Sequence, residues 1–200
     1  MQIKHLCKSF EGLVVLDRFS LTLPARGVVA LMGPSGSGKT TLVHILAGLE
    51  PADSGQIVSD KQKLSMVFQE DRLLDGVSAR GNILAVLERG RESEALANTW
   101  LARMGLEAAG HLLPRELSGG MRRRLALARA MAYGGDLMIL DEPFAGLDEA
   151  TRAEIYPYLF DRQEHPDRLT ILVTHDREEA ERLADQLIVM TGPPLSTETT

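Results

Sequence analysis

Three short stretches of the chain are apolar almost without interruption: Val28-Val29-Ala30-Leu31-Met32, Leu137-Met138-Ile139-Leu140 and Leu169-Thr170-Ile171-Leu172-Val173-Thr174. Unbroken rather than alternating hydrophobicity is the mark of a strand buried on both faces, as in a parallel sheet covered by helices. A fourth stretch, Leu64-Ser65-Met66-Val67-Phe68, reads the same way. Ahead of the first, Ser20-Leu21-Thr22-Leu23 alternates, which predicts an antiparallel layer on one side. Between the strands the pattern predicts helices over residues 39–48, 78–87, 92–104, 120–132, 149–162 and 176–185, with a last strand over 186–190. Gly90 and Gly105 read as helix stops, and Pro157 predicts a kink or an early end in its helix. Residues from about 70 to 134 read as nearly all helical, a helical subdomain inserted in an α/β core formed by 1–69 and 135–200. The fold class expected is therefore α/β: a phosphate-loop core with a mostly parallel buried sheet, an antiparallel layer and the helical insertion.

The residues just past each buried strand carry the chemistry. Ligands of open α/β sheets bind at the carboxyl edge of the strands. The first strand runs into Gly33-Pro34-Ser35-Gly36-Ser37-Gly38-Lys39-Thr40, the second into Asp141-Glu142, the third into His175, and Leu64–Phe68 leads to Gln69. The glycine-rich segment fits G-x-x-x-x-G-K-S/T between a strand and a helix, where backbone N–H groups curl around phosphates. Lys39 supplies a full positive charge to the terminal phosphates, and the Thr40 hydroxyl suits Mg²⁺. A flexible Gly/Ser turn is the plain alternative, and the strand–loop–helix context speaks against it. An Asp at the end of a buried strand suits Mg²⁺, and a second carboxylate beside it suits the orientation or deprotonation of water. The alternative for Asp141-Glu142 is a pair of capping acids before Pro143. Ser118-Gly119-Gly120 precedes a strong helix; by itself it is a serine cap with a flexible lead-in, although a hydroxyl, two glycines and a helix start also suit an anion. As an anion site it would read a second nucleotide, that of a partner subunit in a symmetric head-to-tail dimer.

Composition narrows the setting. Two hundred residues suit one compact domain, spanning 1–200, and 44% hydrophobic content is ordinary for a globular chain. Disorder is expected only within residues 195–200. The net charge of −6 speaks against general nucleic-acid binding. Arg122-Arg123-Arg124 does not change that, because consecutive helical residues fan around the axis; solvated or internally paired arginines are expected. A single cysteine, Cys7, forms no disulfide within the chain and fits a reducing compartment. The first residues lack the apolar stretch of a signal peptide, and no apolar run reaches the ~20 residues of a membrane span. Work at a membrane would therefore require docking on another protein.

In order, the phosphate loop, Gln69, Leu117-Ser118-Gly119-Gly120-Met121, Leu137 to Glu142, Ala145-Gly146-Leu147-Asp148 and His175 resemble the ABC ATPase family from end to end. The resemblance implies ATP and Mg²⁺ as cofactors, with Gly33, Pro34, Ser35, Gly36, Ser37, Gly38, Lys39, Thr40 and Thr41 around the phosphates. It implies that Phe10 stacks on adenine and that Thr40, Gln69 and Asp141 serve the metal. Ser118, Gly119 and Gly120 would clamp the other subunit's γ-phosphate, with Asp148 crossing the dimer interface. Lys39, Gln69, Glu142 and His175 would be the catalytic groups. The implied partners are a second copy, integral membrane permease subunits and a solute-binding protein, with no nucleic acid. The implied location is cytoplasmic and peripheral, on the inner face of the cell membrane.

Phe68 to Leu74, Leu117 to Arg122 and Asp141-Glu142-Pro143-Phe144 resemble bacterial importer subunits of the nitrate, sulfonate and taurine type. An exporter subunit or a soluble ABC ATPase are the competing assignments. A single nucleotide domain and the negative charge weigh against the soluble class, and intact Asp141, Glu142 and His175 weigh against a module that binds without hydrolysis. Asp75-Gly76 departs from the Pro-Trp of that subgroup, Met121 replaces the commoner Gln, and the segment 39–69 is short.

Overall fold

The structure is a computed structural model and describes residues 1–197. Strands β1 (Gln2–Phe10) and β2 (Leu13–Thr22) form a hairpin whose turn residues, Glu11 and Gly12, have φ of 45° and 89°. Positive φ at both positions matches the twist of a two-residue hairpin. Next come β3 (Gly27–Met32), α1 (Lys39–Leu46), β4 (Ser54–Val58), β5 (Leu64–Val67), α2 (Ala79–Leu84), α3 (Arg91–Arg103) and α4 (Gly119–Tyr133). The chain continues through β6 (Leu137–Asp141), α5 (Glu149–Leu159), β7 (Leu169–Val173), α6 (Arg177–Leu183), β8 (Gln186–Thr191) and β9 (Ser196–Thr197).

The strands form two sheets. One is antiparallel, ordered β2-β1-β4; the other is ordered β5-β6-β7-β3-β8-β9, with β6, β7, β3 and β8 parallel and β9 antiparallel. The three apolar runs of the sequence are β3, β6 and β7, adjacent in the sheet, and every residue of β6 and β7 is buried. One apolar cluster joins both sheets: Leu6, Leu16 and Phe19 meet Leu31, Ile139, Ile171 and Val173, with Leu42 and Val43 of α1. Each such side chain contributes about 1.5–3 kcal/mol by leaving water.

The chain divides into two compact units. The first comprises residues 1–66, 135–142 and 162–200; the second comprises 67–134 and 143–161. In the second, α2, α3 and α4 pack together around Ile83, Trp100, Leu101, Met104, Leu125 and Leu127. Phe144 meets Tyr156 edge-on at 4.8 Å.

Three expectations need correction. Residues 70–134 are not nearly all helical: loops over 70–78, 85–90 and 104–118 separate α2, α3 and α4, and the last holds only two 3₁₀ turns. The first loop is stabilised by fully buried Asn82, whose amide donates to the carbonyls of Leu74, Val77 and Ser78 while its oxygen accepts from Leu74 N–H. A buried amide that satisfies loop backbone removes the incentive to form helix there. Gly90 is the N-cap of α3 rather than a stop. Residues 195–197 are ordered: Leu195 is buried, its N–H donates to Val15 at 2.8 Å, and β9 pairs with β8. Residues 198–200, also expected to be disordered, lie outside the described residues. Helix α5 ends at Leu159, soon after Pro157, as the proline predicts.

Candidate functional site

The phosphate loop connects β3 to α1 within the first unit. Its shape needs glycine at both ends. A Cβ on Gly33 would lie 2.1 Å from the Met190 carbonyl oxygen of β8. Gly38, with φ 107°, is wedged between Val15 and Leu195. Lys39 is 7% exposed, and its ammonium is turned back into the loop, donating to the carbonyls of Gly33 (2.8 Å) and Pro34 (2.9 Å). Burial lowers its pKa, partly opposed by the negative charges of Glu142 and Asp141. Ser37 is buried, while Pro34, Ser35, Gly36 and Thr40 are exposed and Thr41 is half-buried.

Strand β6 delivers the acidic pair to the same edge. Asp141 is buried, which raises its pKa; the Thr40 hydroxyl, hydrogen-bonded to it, and the charge of Lys39 act in the opposite direction. The next residue, Glu142, takes φ 48°, a left-handed conformation uncommon outside glycine, with its N–H donating to Val173 of β7 at 2.9 Å. Its carboxylate meets His175 Nδ1 at 2.8 Å. That hydrogen bond, with the Glu142 charge, raises the His175 pKa although the ring is largely exposed. Beside this edge Met32, Gly33, Pro34, His175, Leu187 and Val189 line a mostly apolar cleft of about 350 Å³.

Phe10, 41% exposed, ends β1 just before the hairpin turn. Lys8 lies 4.8 Å from the ring centroid and is anchored by Glu50 (2.5 Å), Asp53 (3.6 Å) and the Pro51 carbonyl (2.9 Å). A cation over one ring face leaves the other available for stacking.

Asp141 and Thr40 offer hard oxygen donors beside a phosphate loop, the ligand type that suits Mg²⁺. Among the described residues there is no group of three or more His, Cys, Asp or Glu that could hold a metal.

The remaining candidates are in the second unit. Ser118 is the N-cap of α4, its hydroxyl accepting from Met121 N–H at 3.2 Å; Ser118 and Gly119 are exposed and Gly120 half-buried. Asp148 caps α5, accepting from Thr151 N–H at 2.9 Å, and that bond lowers its pKa. Gln69 is exposed just past β5.

The sequence profile of the ABC transporter family matches residues 16–145. The chain belongs to the ABC transporter family. It is 40% identical to the aliphatic sulfonates import ATP-binding protein SsuB 1 of Nocardia farcinica, over 95% of this chain and 77% of that protein. It is also 40% identical to the sulfate/thiosulfate import ATP-binding protein CysA of Burkholderia mallei, over 94% of this chain. The chain spans 59% of the length of that relative. The dimeric structure of MJ0796, a bacterial ABC transporter cassette, superposes with a TM-score of 0.86 at 26% identity, covering 94% of this chain and 93% of that one. A post-hydrolysis state of MJ0796 bound to ADP and Pi superposes with a TM-score of 0.85 at 26% identity, covering 99% and 97% of the two chains.

In this ABC-family chain the structure brings Lys39, Thr40, Asp141, Glu142 and His175 to one sheet edge, while Gln69, Ser118, Gly119, Gly120 and Asp148 belong to the other unit. Sequence reasoning missed Lys8; for Arg122 to Arg124 it expected solvated or internally paired side chains, and Arg123 is internally paired. Arg123 is only 3% exposed and donates to three backbone carbonyls. The signal was present: Ala126, Leu127 and Ala130 fall three, four and seven residues later, so position 123 lies on the apolar face of its helix.

Proposed function

We propose that this chain is the ATP-binding and ATP-hydrolysing subunit of an ABC importer for a small solute. Its observational support is the pairing of Glu142 with His175 at 2.8 Å, on the sheet edge that also carries Lys39 and buried Asp141. The phosphate loop, residues 33–41, binds the triphosphate, and Lys39 exchanges its contacts with the loop carbonyls for phosphate oxygens. Phe10 stacks on the adenine. Glu142 orients the attacking water and takes up its proton. His175 holds the Glu142 carboxylate and donates toward the transferring phosphoryl group. Most of the rate gain comes from charge placed in advance around the phosphoryl group.

Thr40 and Asp141, with Gln69, would hold Mg²⁺, which when bound neutralises charge developing on the phosphates. Two copies assemble head to tail, Ser118, Gly119 and Gly120 of each addressing the other's γ-phosphate and Asp148 crossing between them. One ATPase domain, whose second unit carries α2, α3 and α4, docks on integral membrane permease subunits served by a solute-binding protein, at the inner face of the membrane. SsuB 1 and CysA are sulfonate and sulfate/thiosulfate import proteins, which favours import over export.

Glu142→Gln is expected to lower turnover about 100-fold or more, the scale of a general base, while Mg-ATP still binds. Near-normal turnover in that variant would remove Glu142 from the mechanism.

A further inference from the structure

We infer that Arg123 is a positioning residue for the Gln69 segment, tying its backbone to the helix that begins at Ser118. The Arg123 guanidinium is buried inside the second unit, where a charge is tolerated only if its donors are satisfied. Its Nη1 donates to the carbonyl oxygens of Phe68 (2.6 Å) and Gln69 (3.2 Å) and lies 3.4 Å from the Asp71 carboxylate. Its Nε donates to the carbonyl of Pro143, the residue after Glu142, at 2.8 Å. A second arginine of α4 continues the pattern: Arg129 donates to the carbonyls of Arg72 (2.9 Å) and Asp71 (3.2 Å). The backbone carbonyls of Phe68, Gln69, Asp71 and Arg72 thus all accept hydrogen bonds from one helix. Within this segment Arg72 takes φ 43° and lies 3.9 Å over the Phe68 ring, so the chain is curled rather than extended.

Because the acceptors are main-chain atoms, the clamp fixes where the Gln69 side chain starts, whatever that side chain touches. The same helix carries Ser118 at its N-cap, so a movement of either end is shared with the other. A planar fork with donors in fixed directions does this; a lysine ammonium offers a single point of attachment. The clamp therefore governs turnover and leaves the capture of ATP to the phosphate loop. This role rests on the proposed assignment of Gln69 to the nucleotide site.

The test is a double-mutant cycle on the full chain, with ATP turnover and KM as readouts. Arg123→Met is expected to lower kcat about tenfold with KM for ATP changed less than about twofold, and Arg123→Lys to recover part of the loss. In a Gln69→Ala background, Arg123→Met should cost less than about twofold more, because residues in one network do not add. Amide exchange over residues 68–72 should quicken in Arg123→Met. If Gln69→Ala impairs turnover and the two losses simply multiply, the positioning role fails while the assignment of Gln69 stands. If Gln69→Ala alone turns over normally, that assignment falls and the inference with it. Should Arg123→Met fail to fold, Arg123→Lys carries the same cycle, and wild-type kcat and exchange in it would equally overturn the clamp.

Discussion

At the scale of single residues, the proposed chemistry turns on one ion pair. The Glu142–His175 contact couples the acid that follows β6 to the histidine after β7. His175 has its pKa raised above the ordinary 6.5 by that hydrogen bond. The contribution of the pair to stability is therefore fully present below about pH 6.5 and is lost as pH rises through the raised value. An NMR titration of the His175 ring should show a midpoint above 6.5, and Glu142→Gln should bring it back down; an unmoved midpoint would mean that the two side chains do not pair in solution. Lys39, Asp141, Glu142 and His175 were legible in the sequence because each comes after an apolar run that can only be a buried strand. For Arg123 the run of three arginines left solvation and internal pairing both open, and only the helical phase of Leu127 and Ala130 selects the second.

At the scale of elements, the strands were legible and the helix lengths were not. Continuous apolar runs set β3, β6 and β7 within a residue, since strands buried on both faces hold few polar residues, Thr170 of β7 being one. Helix ends depend instead on partners distant in sequence. Helix α2 covers only Ala79–Leu84 because Ser78 caps it through Gly81 N–H and the preceding loop is anchored on the Asn82 side chain. Composition carries no trace of such a tertiary hydrogen-bond set. Asn82→Ala is expected to leave the carbonyls of Leu74 and Val77 without their donor and to destabilise the chain by about 1–3 kcal/mol, read as a lower urea midpoint with early proteolysis within residues 74–78. A midpoint within ~0.5 kcal/mol of wild type would show that water replaces the amide there.

For the molecule as a whole, the decisive question is whether one chain completes its own site. Ser118 and Asp148 each cap a helix of the second unit, and both are exposed. A partner copy could therefore meet them without prior unfolding. Light scattering of Glu142→Gln with Mg-ATP is expected to show the mass double, and an unchanged mass would count against a shared site. Among the described residues no helix is long and apolar enough to cross a membrane. The buried position of Leu195 against Gly38 and Val15 bears on how the chain can be handled. The back wall of the phosphate loop is built partly from a residue more than 150 positions further along the polypeptide, so trimming the chain at Thr191 would thin that wall. A purification tag or fluorophore belongs beyond Thr197, on a spacer long enough to leave Leu195 seated.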